Sequence, residues 1–147
     1  MAITRFAETV WNGDLVSGSG SINYVSSGSF TRLPVTWASR TEAHDGRTSP
    51  EELIASAHAS CFSMALSSRL AKNGTPATSL DVKAVITFDK GEAGWKIARS
   101  DLTVRGVVPG IDEAAFVSLA GDAKENCPVS QALKGNVELS VVATLAE

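Results

Sequence analysis

One uncharged segment, Leu53–Ser68, constrains the fold of this 147-residue chain more than any other feature. The Ser-Pro-Glu-Glu motif at 49–52 directly before it is a typical helix start, because Ser caps the first turn, Pro suits the first helical position and the second Glu completes a capping box. Gly74 suits the end of the same helix. The sequence therefore predicts a helix from Pro50 to about Asn73.

The centre of the predicted helix is apolar nearly all round, so it should be buried on most sides. A chain of this length is expected to form one domain, here residues 1–147, with a substantial core. One small sheet cannot cover every face of such a helix. We therefore expect a second subunit to supply part of the cover, which makes the protein a homodimer.

The rest of the chain predicts strands before and after the helix, and two further helices. The predicted strands are Ala7–Trp11, Ser21–Val25, Leu33–Trp37, Val82–Phe88, Trp95–Val107 (as one long strand or two) and Val137–Leu145. Pro34 favours an edge position for the third strand, and the polar segment Ser39–Thr48 is predicted to be a loop. The later helices are predicted at Ile111–Glu125 and Pro128–Leu133. This order indicates an α+β fold with largely antiparallel pairing.

Composition excludes several classes of function. The net charge is −3 and no basic run appears, so we expect no nucleic-acid partner. The first residues show neither an apolar signal segment nor a lipidation pattern, and no stretch is suited to spanning a bilayer. We expect a cytoplasmic protein without a membrane partner, in which thiols are kept reduced.

The chain has two cysteines, Cys61 in the uncharged helix and Cys127 before Pro128. Cys61 has a structural alternative, an inert core cysteine, because free cysteines are among the most buried residues. Burial raises the pKa of a thiol, so a reactive Cys61 needs a nearby cation, and the loop offers Arg40 and Arg47. Cys127 is a candidate N-cap of a short helix, a position that favours a thiolate and exposes the sulfur. Its structural alternative is a small residue that fills a helix junction.

For the other polar residues of the helix, too, a chemical role has to be weighed against a purely structural one. His58 is a possible base for Cys61, but a hydrogen-bonded core histidine is the stronger interpretation. Glu51 lies ten residues before Cys61, about 15 Å along a straight helix; an arginine gripped by Glu51 could still reach the sulfur. Two cysteines and two histidines without paired spacing favour neither a metal site nor a cofactor.

Four segments resemble one known family. Pro50–Leu66 closely resembles the cysteine helix of the osmotically inducible protein C (OsmC) and organic hydroperoxide resistance (Ohr) family, and Asn126–Leu133 resembles its second cysteine motif. Val107–Asp112 and Trp11–Asp14 resemble the OsmC branch. The resemblance covers nearly the whole chain. It implies an intertwined α+β homodimer, with two sites at the subunit interface that reduce organic hydroperoxides.

The resemblance also implies roles for individual residues. Cys61 would be the peroxidatic cysteine, Cys127 the resolving cysteine that forms a disulfide with it, and Glu51 the family's acid. Arg40 resembles the arginine of the OsmC branch, and Arg47 is its rival. The implied reductant is a dithiol, for which the family suggests a lipoyl-bearing protein.

Two alternatives from other functional classes stay open at this point. One is a non-catalytic redox sensor or binding module that uses the same disulfide as a switch. The other is a thiol hydrolase or transferase in which His58 serves Cys61.

Overall fold

The computed structural model describes residues 1–146. The chain divides into two compact units, Met1–Leu53 and Ile54–Glu147. The elements in chain order are β1 (Ala7–Asn12), β2 (Ser19–Val25), β3 (Leu33–Val35), α1 (Trp37–Thr41), α2 (Pro50–Lys72), β4 (Ser79–Gly91), β5 (Gly94–Val107), α3 (Glu113–Asn126), α4 (Pro128–Leu133) and β6 (Glu138–Leu145).

The first unit contains an antiparallel sheet in the order β1-β2-β3. Pro34 lies in β3 opposite Ser21 of β2, so the proline occupies an edge strand, as the sequence predicted. Every residue of β1 is exposed, and Ile22 is the one buried residue among these three strands. A small sheet normally needs a buried apolar face for stability, and this chain supplies little of it.

The prediction for the segment after β3 was wrong. The sequence pattern predicts a strand as far as Trp37 and a loop from Ser39, but Trp37–Thr41 forms the short helix α1. Thr36 caps it, because its Oγ1 accepts a hydrogen bond from the Ser39 N–H at 3.0 Å while the Ser39 Oγ accepts one from the Thr36 N–H at 3.1 Å. This reciprocal cap overrides the strand preference of Trp37 and Thr36.

Helix α2 runs over Pro50–Lys72, close to its predicted bounds. The Ser49 Oγ accepts a hydrogen bond from the Glu52 N–H at 3.2 Å, which is the predicted N-terminal cap. At the other end Gly74 has φ +79°, a left-handed conformation that glycine adopts without strain. None of the helices described, α2 included, has the stretch of apolar residues that a bilayer-spanning helix requires.

The second unit is built on a sheet in the order β4-β5-β6. Strands β4 and β5 form a long antiparallel hairpin, whereas β6 pairs with β5 in parallel. A parallel return needs a crossover, which α3 and α4 provide. The α+β fold with largely antiparallel pairing is therefore confirmed, with one parallel pair at the end of the described chain.

The core of the second unit lies between α2, β5 and α3. Its buried members are Phe62, Leu66, Leu70, Leu102, Val104, Val108, Phe116, Ala120, Ala123 and Cys127. They follow helical spacing on α2 and α3 and alternate along β5. Gly106 of β5 allows close approach of α3, because a Cβ there would lie 2.6 Å from Cζ of Phe116.

Candidate active site

The two cysteines meet inside the second unit. Both are free thiols; Cys61 is half-buried on α2, and Cys127 is fully buried between α3 and α4. Cys61 packs against the core cluster that contains Cys127, and its thiol interacts with the Cys127 thiol and with the Val129 backbone. Helix packing thus brings together two thiols that are far apart in sequence.

The surroundings of Cys61 act on its pKa in both directions. Burial is the largest effect and raises the pKa of the thiol, and the hydrogen bond to Cys127 raises it further. The Val129 N–H lowers the pKa, because it stabilises the thiolate. The raising effects prevail, so Cys61 needs an additional positive charge to be a thiolate at neutral pH.

Cys127 owes its position to the junction of α3 and α4. Its N–H donates to the Ala123 carbonyl at 2.8 Å and ends α3, while its carbonyl accepts from the Gln131 N–H at 2.9 Å and begins α4. Pro128 follows at the first position of α4, where its missing N–H costs nothing. Cys127 caps α4 as predicted, but the expectation of an exposed sulfur was wrong, because the same junction lies in the core.

A second cluster, in the first unit, joins an arginine to an acid. Arg40 Nη2 donates to Glu51 Oε1 at 2.8 Å, and Arg40 Nε donates to Oε1 and Oε2 at 3.0 and 3.1 Å. The side chains are 28% and 11% exposed, so this charge-assisted pair is well shielded from water. Arg40 Cζ also lies 5.9 Å from the centroid of the Trp37 ring.

The local sequence explains why Arg40 reaches Glu51. Helix α1 presents Arg40 in its last turn, and Glu51 lies in the first turn of α2. The Ser39 Oγ donates to the Thr48 carbonyl at 3.0 Å, which closes the loop between the two helices. The rival arginine is placed differently: Arg47 Nη1 is 4.0 Å from Asp45 Oδ2, and its side chain is 43% exposed.

His58 is a core histidine, as the preferred interpretation predicted. It is fully buried; its Nδ1 lies 2.6 Å from Ser100 Oγ and its Nε2 lies 2.7 Å from Ser130 Oγ. Burial lowers the pKa of the imidazole, which favours its neutral form. Both ring nitrogens are engaged with hydroxyl groups, which disfavours the hydrolase hypothesis, where one nitrogen must serve the Cys61 sulfur.

Comparison with known proteins identifies the family of this chain. Residues 43–142 match the family model described as OsmC-like protein. The chain belongs to the OsmC-like family. Peroxiredoxin OsmC of Escherichia coli (strain K12) is 41% identical to the OsmC-like chain over 139 residues, which cover 95% of this chain and 96% of that relative.

More distant relatives are named as organic hydroperoxide resistance (Ohr) proteins, the other branch of the family. The organic hydroperoxide resistance protein of Xanthomonas axonopodis pv. citri (strain 306) is 27% identical over 95 residues, which cover 64% of the OsmC-like chain and 65% of that relative. The crystal structure of the organic hydroperoxide resistance protein OhrB of Bacillus subtilis superposes with a TM-score of 0.73 at 23% identity, covering 95% and 98% of the two chains. This superposition shows that the two chains share the same fold.

The sequence predicted the candidate cysteines, arginine and acid of the OsmC-like protein but not the groups that surround them. The Val129 donor is a backbone group, for which no residue type gives a signal. Ser130 and Ser100 are common small residues, and their pairing with His58 depends on the packing of α4 and β5 against α2. One weak signal existed: a buried histidine requires partners, and a Ser three positions after Cys127 lies within the second cysteine motif.

Proposed function

We propose that this protein is a cysteine-based peroxidase that reduces organic hydroperoxides to alcohols. The names of its relatives, Peroxiredoxin OsmC and organic hydroperoxide resistance protein, support this reaction class. The observation that carries most weight within the chain is that the Cys61 thiol packs against the core cluster that contains Cys127 and interacts with the Cys127 thiol. A peroxidatic and a resolving thiol must lie close together, because the two sulfurs have to form a disulfide.

The proposed reaction has two chemical steps before reduction. The Cys61 thiolate attacks the O–O bond of the hydroperoxide, an S–O bond forms, and the alcohol leaves with the proton that the thiol released. The Cys127 thiol then attacks the sulfenic acid on Cys61, which forms the disulfide and releases water. Peroxide is the oxidant of the first step, the Cys61 sulfenic acid oxidises Cys127 in the second, and a dithiol afterwards returns two electrons and two protons.

Arg40 is proposed to supply the charge that Cys61 requires. A guanidinium near the sulfur of a peroxidatic cysteine in the assembled homodimer favours the thiolate, and Glu51 holds this guanidinium through three hydrogen bonds. The fork geometry fixes both position and orientation. Glu51 therefore acts through Arg40 and is a positioning residue.

The cellular partners of the reaction follow from the same proposal. We place the enzyme in the cytoplasm, where dithiol reductants keep cysteines reduced. A lipoylated protein is the proposed reductant, because a dihydrolipoyl group carries two thiols and can resolve the Cys61–Cys127 disulfide by exchange.

The test is a peroxidase assay with the purified protein. Cumene hydroperoxide and hydrogen peroxide are compared as substrates, with dihydrolipoamide as the reductant. We expect multiple turnovers and a higher kcat/KM for the organic hydroperoxide. A single oxidation without turnover in the presence of the dithiol would instead support the redox sensor, and no reaction with either peroxide would reject both.

Removal of the resolving thiol gives a specific prediction. We expect Cys127→Ser to reduce about one equivalent of hydroperoxide and then to turn over slowly, because the Cys61 sulfenic acid has no internal partner and is open to overoxidation. Mass spectrometry after peroxide treatment should show oxygen added at Cys61 in the variant and a Cys61–Cys127 bond within one chain in the wild type. An interchain disulfide in the wild type would contradict the proposed pairing.

The proposed homodimer rests on apolar surface that this chain leaves uncovered. Met64, in the middle of α2, is 68% exposed, and Val10 and Trp11 of β1 are 50% and 40% exposed. A sheet with one buried residue and a long apolar helix with an open face are both incomplete as parts of a monomer. A second copy of the chain that covers the exposed side chains of β1 and α2 would give both elements the apolar packing that they lack.

This surface predicts that folding and dimerisation are coupled. The urea midpoint of unfolding should rise with protein concentration between about 1 and 100 μM, since obligate dimers often lack a stable folded monomer. Met64→Glu should lower the midpoint at the lowest concentration most strongly, because a charge at a covered apolar position opposes association. A compact, fully active monomer in light scattering at micromolar concentration would contradict the prediction.

A further inference from the structure

His58 connects three elements of the second unit. It lies on α2, one turn before Cys61, and its two ring nitrogens contact Ser100 of β5 at 2.6 Å and Ser130 of α4 at 2.7 Å. All three side chains of this serine–histidine–serine link are buried. The peroxidase mechanism described above does not use them.

The link suits a neutral histidine. Burial lowers the pKa of His58, so the ring carries one N–H donor and one acceptor nitrogen. A serine hydroxyl donates or accepts as required, so both short contacts are satisfied whichever tautomer is present. Buried hydrogen bonds of this kind fix geometry, because breaking one leaves a polar group without a partner in the core.

Helix α4 depends on such an anchor. It spans Pro128–Leu133, and Ser130 is its buried residue. A helix this short is not stable by itself and takes its position from tertiary contacts. The same few residues bring the two groups that contact the Cys61 sulfur, because Cys127 directly precedes α4 and Val129 directly precedes Ser130.

We propose that His58, through Ser130, is a positioning residue that holds α4 so that the Cys127 sulfur faces Cys61. The inference rests on the proposed peroxidase function and concerns its second step. In that step the S–S bond forms while the S–O bond of the Cys61 sulfenic acid breaks, and the thiol proton leaves with the hydroxyl as water. Because such a displacement requires aligned sulfur atoms, a small shift of α4 slows it.

The test separates the two chemical steps in a single turnover. Reduced protein is mixed with one equivalent of cumene hydroperoxide, and the rates of sulfenic acid formation and of disulfide formation are both measured by rapid quench and mass spectrometry. The quantity of interest is the ratio of the second rate constant to the first. Ser130→Ala, which removes the anchor of α4, should lower this ratio about tenfold, the effect of losing one buried hydrogen bond.

Two substitutions of His58 provide a sharper comparison. The amide of Asn reaches the position of Nδ1, so His58→Asn keeps the Ser100 contact and loses Ser130; this variant should also lower the ratio about tenfold. The amide of Gln reaches the position of Nε2, so His58→Gln keeps the Ser130 contact and should restore most of the ratio. Ser140→Ala is the matched control, since it removes a hydroxyl that donates to Asp101 at 2.6 Å on the sheet.

The outcomes distinguish this inference from the proposed function. A wild-type protein that forms no sulfenic acid with peroxide overturns both. Wild-type chemistry with an unchanged ratio in folded Ser130→Ala or His58→Asn overturns the positioning role alone. Equal slowing of both steps, or equal loss in His58→Gln and His58→Asn, also overturns it, because a residue needed only for stability would act in that way.

Discussion

Cys61→Ser should lose at least about a thousandfold of the peroxidase kcat/KM while remaining a folded dimer. Removing the attacking nucleophile of an enzyme typically costs several orders of magnitude, and a serine hydroxyl at neutral pH does not cleave an O–O bond. Ser is close to Cys in size, and Cys61 is half-buried, so the core around Phe62 and Leu66 should be conserved. The measurements are steady-state turnover with dihydrolipoamide and circular dichroism.

The appropriate control is the partner cysteine. Cys127→Ser should still reduce about one equivalent of hydroperoxide in a single turnover, whereas Cys61→Ser should reduce none, because the proposed mechanism transfers the peroxide oxygen to the Cys61 sulfur. Equal single-turnover reduction by the two variants would mean that either thiol serves as the nucleophile. Full turnover by Cys61→Ser would remove Cys61 from the mechanism altogether.

The elements that the sequence predicted best are those whose ends carry a chemical signal. Helix α2 has a serine cap, a proline and two acids at its start and Gly74 after its end, and its observed bounds differ little from the predicted ones. Helix α1 was missed because its signal is a Thr-x-x-Ser cap among residues that favour strands. The parallel pairing of β6 with β5 could not be read from alternation alone, since both orientations give the same pattern.

For the site, the residue types were predictable and their pairing followed only from the family resemblance, whereas the burial of each thiol was not predictable. The sequence placed Cys61 in an apolar setting and Cys127 at a helix end, yet Cys61 is the more accessible thiol and Cys127 is fully buried. The reason is that helix capping describes the backbone of Cys127, while burial depends on how the α3–α4 junction packs against α2. The contact of the two sulfurs likewise depends on the packed core.

Arg40→Ala should raise the thiol pKa of Cys61 and slow its reaction with hydroperoxide about tenfold at pH 7. Burial and Cys127 already raise this pKa, so loss of a stabilising cation leaves the thiol protonated up to a higher pH. The curve of Cys61 thiolate fraction against pH therefore moves to higher pH. The reaction rate falls at every pH below the new pKa, while the rate on the alkaline plateau is unchanged. The measurement is the pH dependence of Cys61 alkylation in a Cys127→Ser background.

Two neighbouring variants decide whether the guanidinium itself is responsible. Glu51→Ala should give a smaller shift in the same direction, because the charge of Arg40 remains but its three hydrogen bonds to the carboxylate are lost. Arg47→Ala should leave the curve nearly unchanged, since that side chain is exposed and lies beside Asp45. A shift in Arg47→Ala without one in Arg40→Ala would assign the activating charge to Arg47. A lowered plateau in Arg40→Ala with no change in its midpoint would instead mean that Arg40 maintains structure and does not tune the thiol.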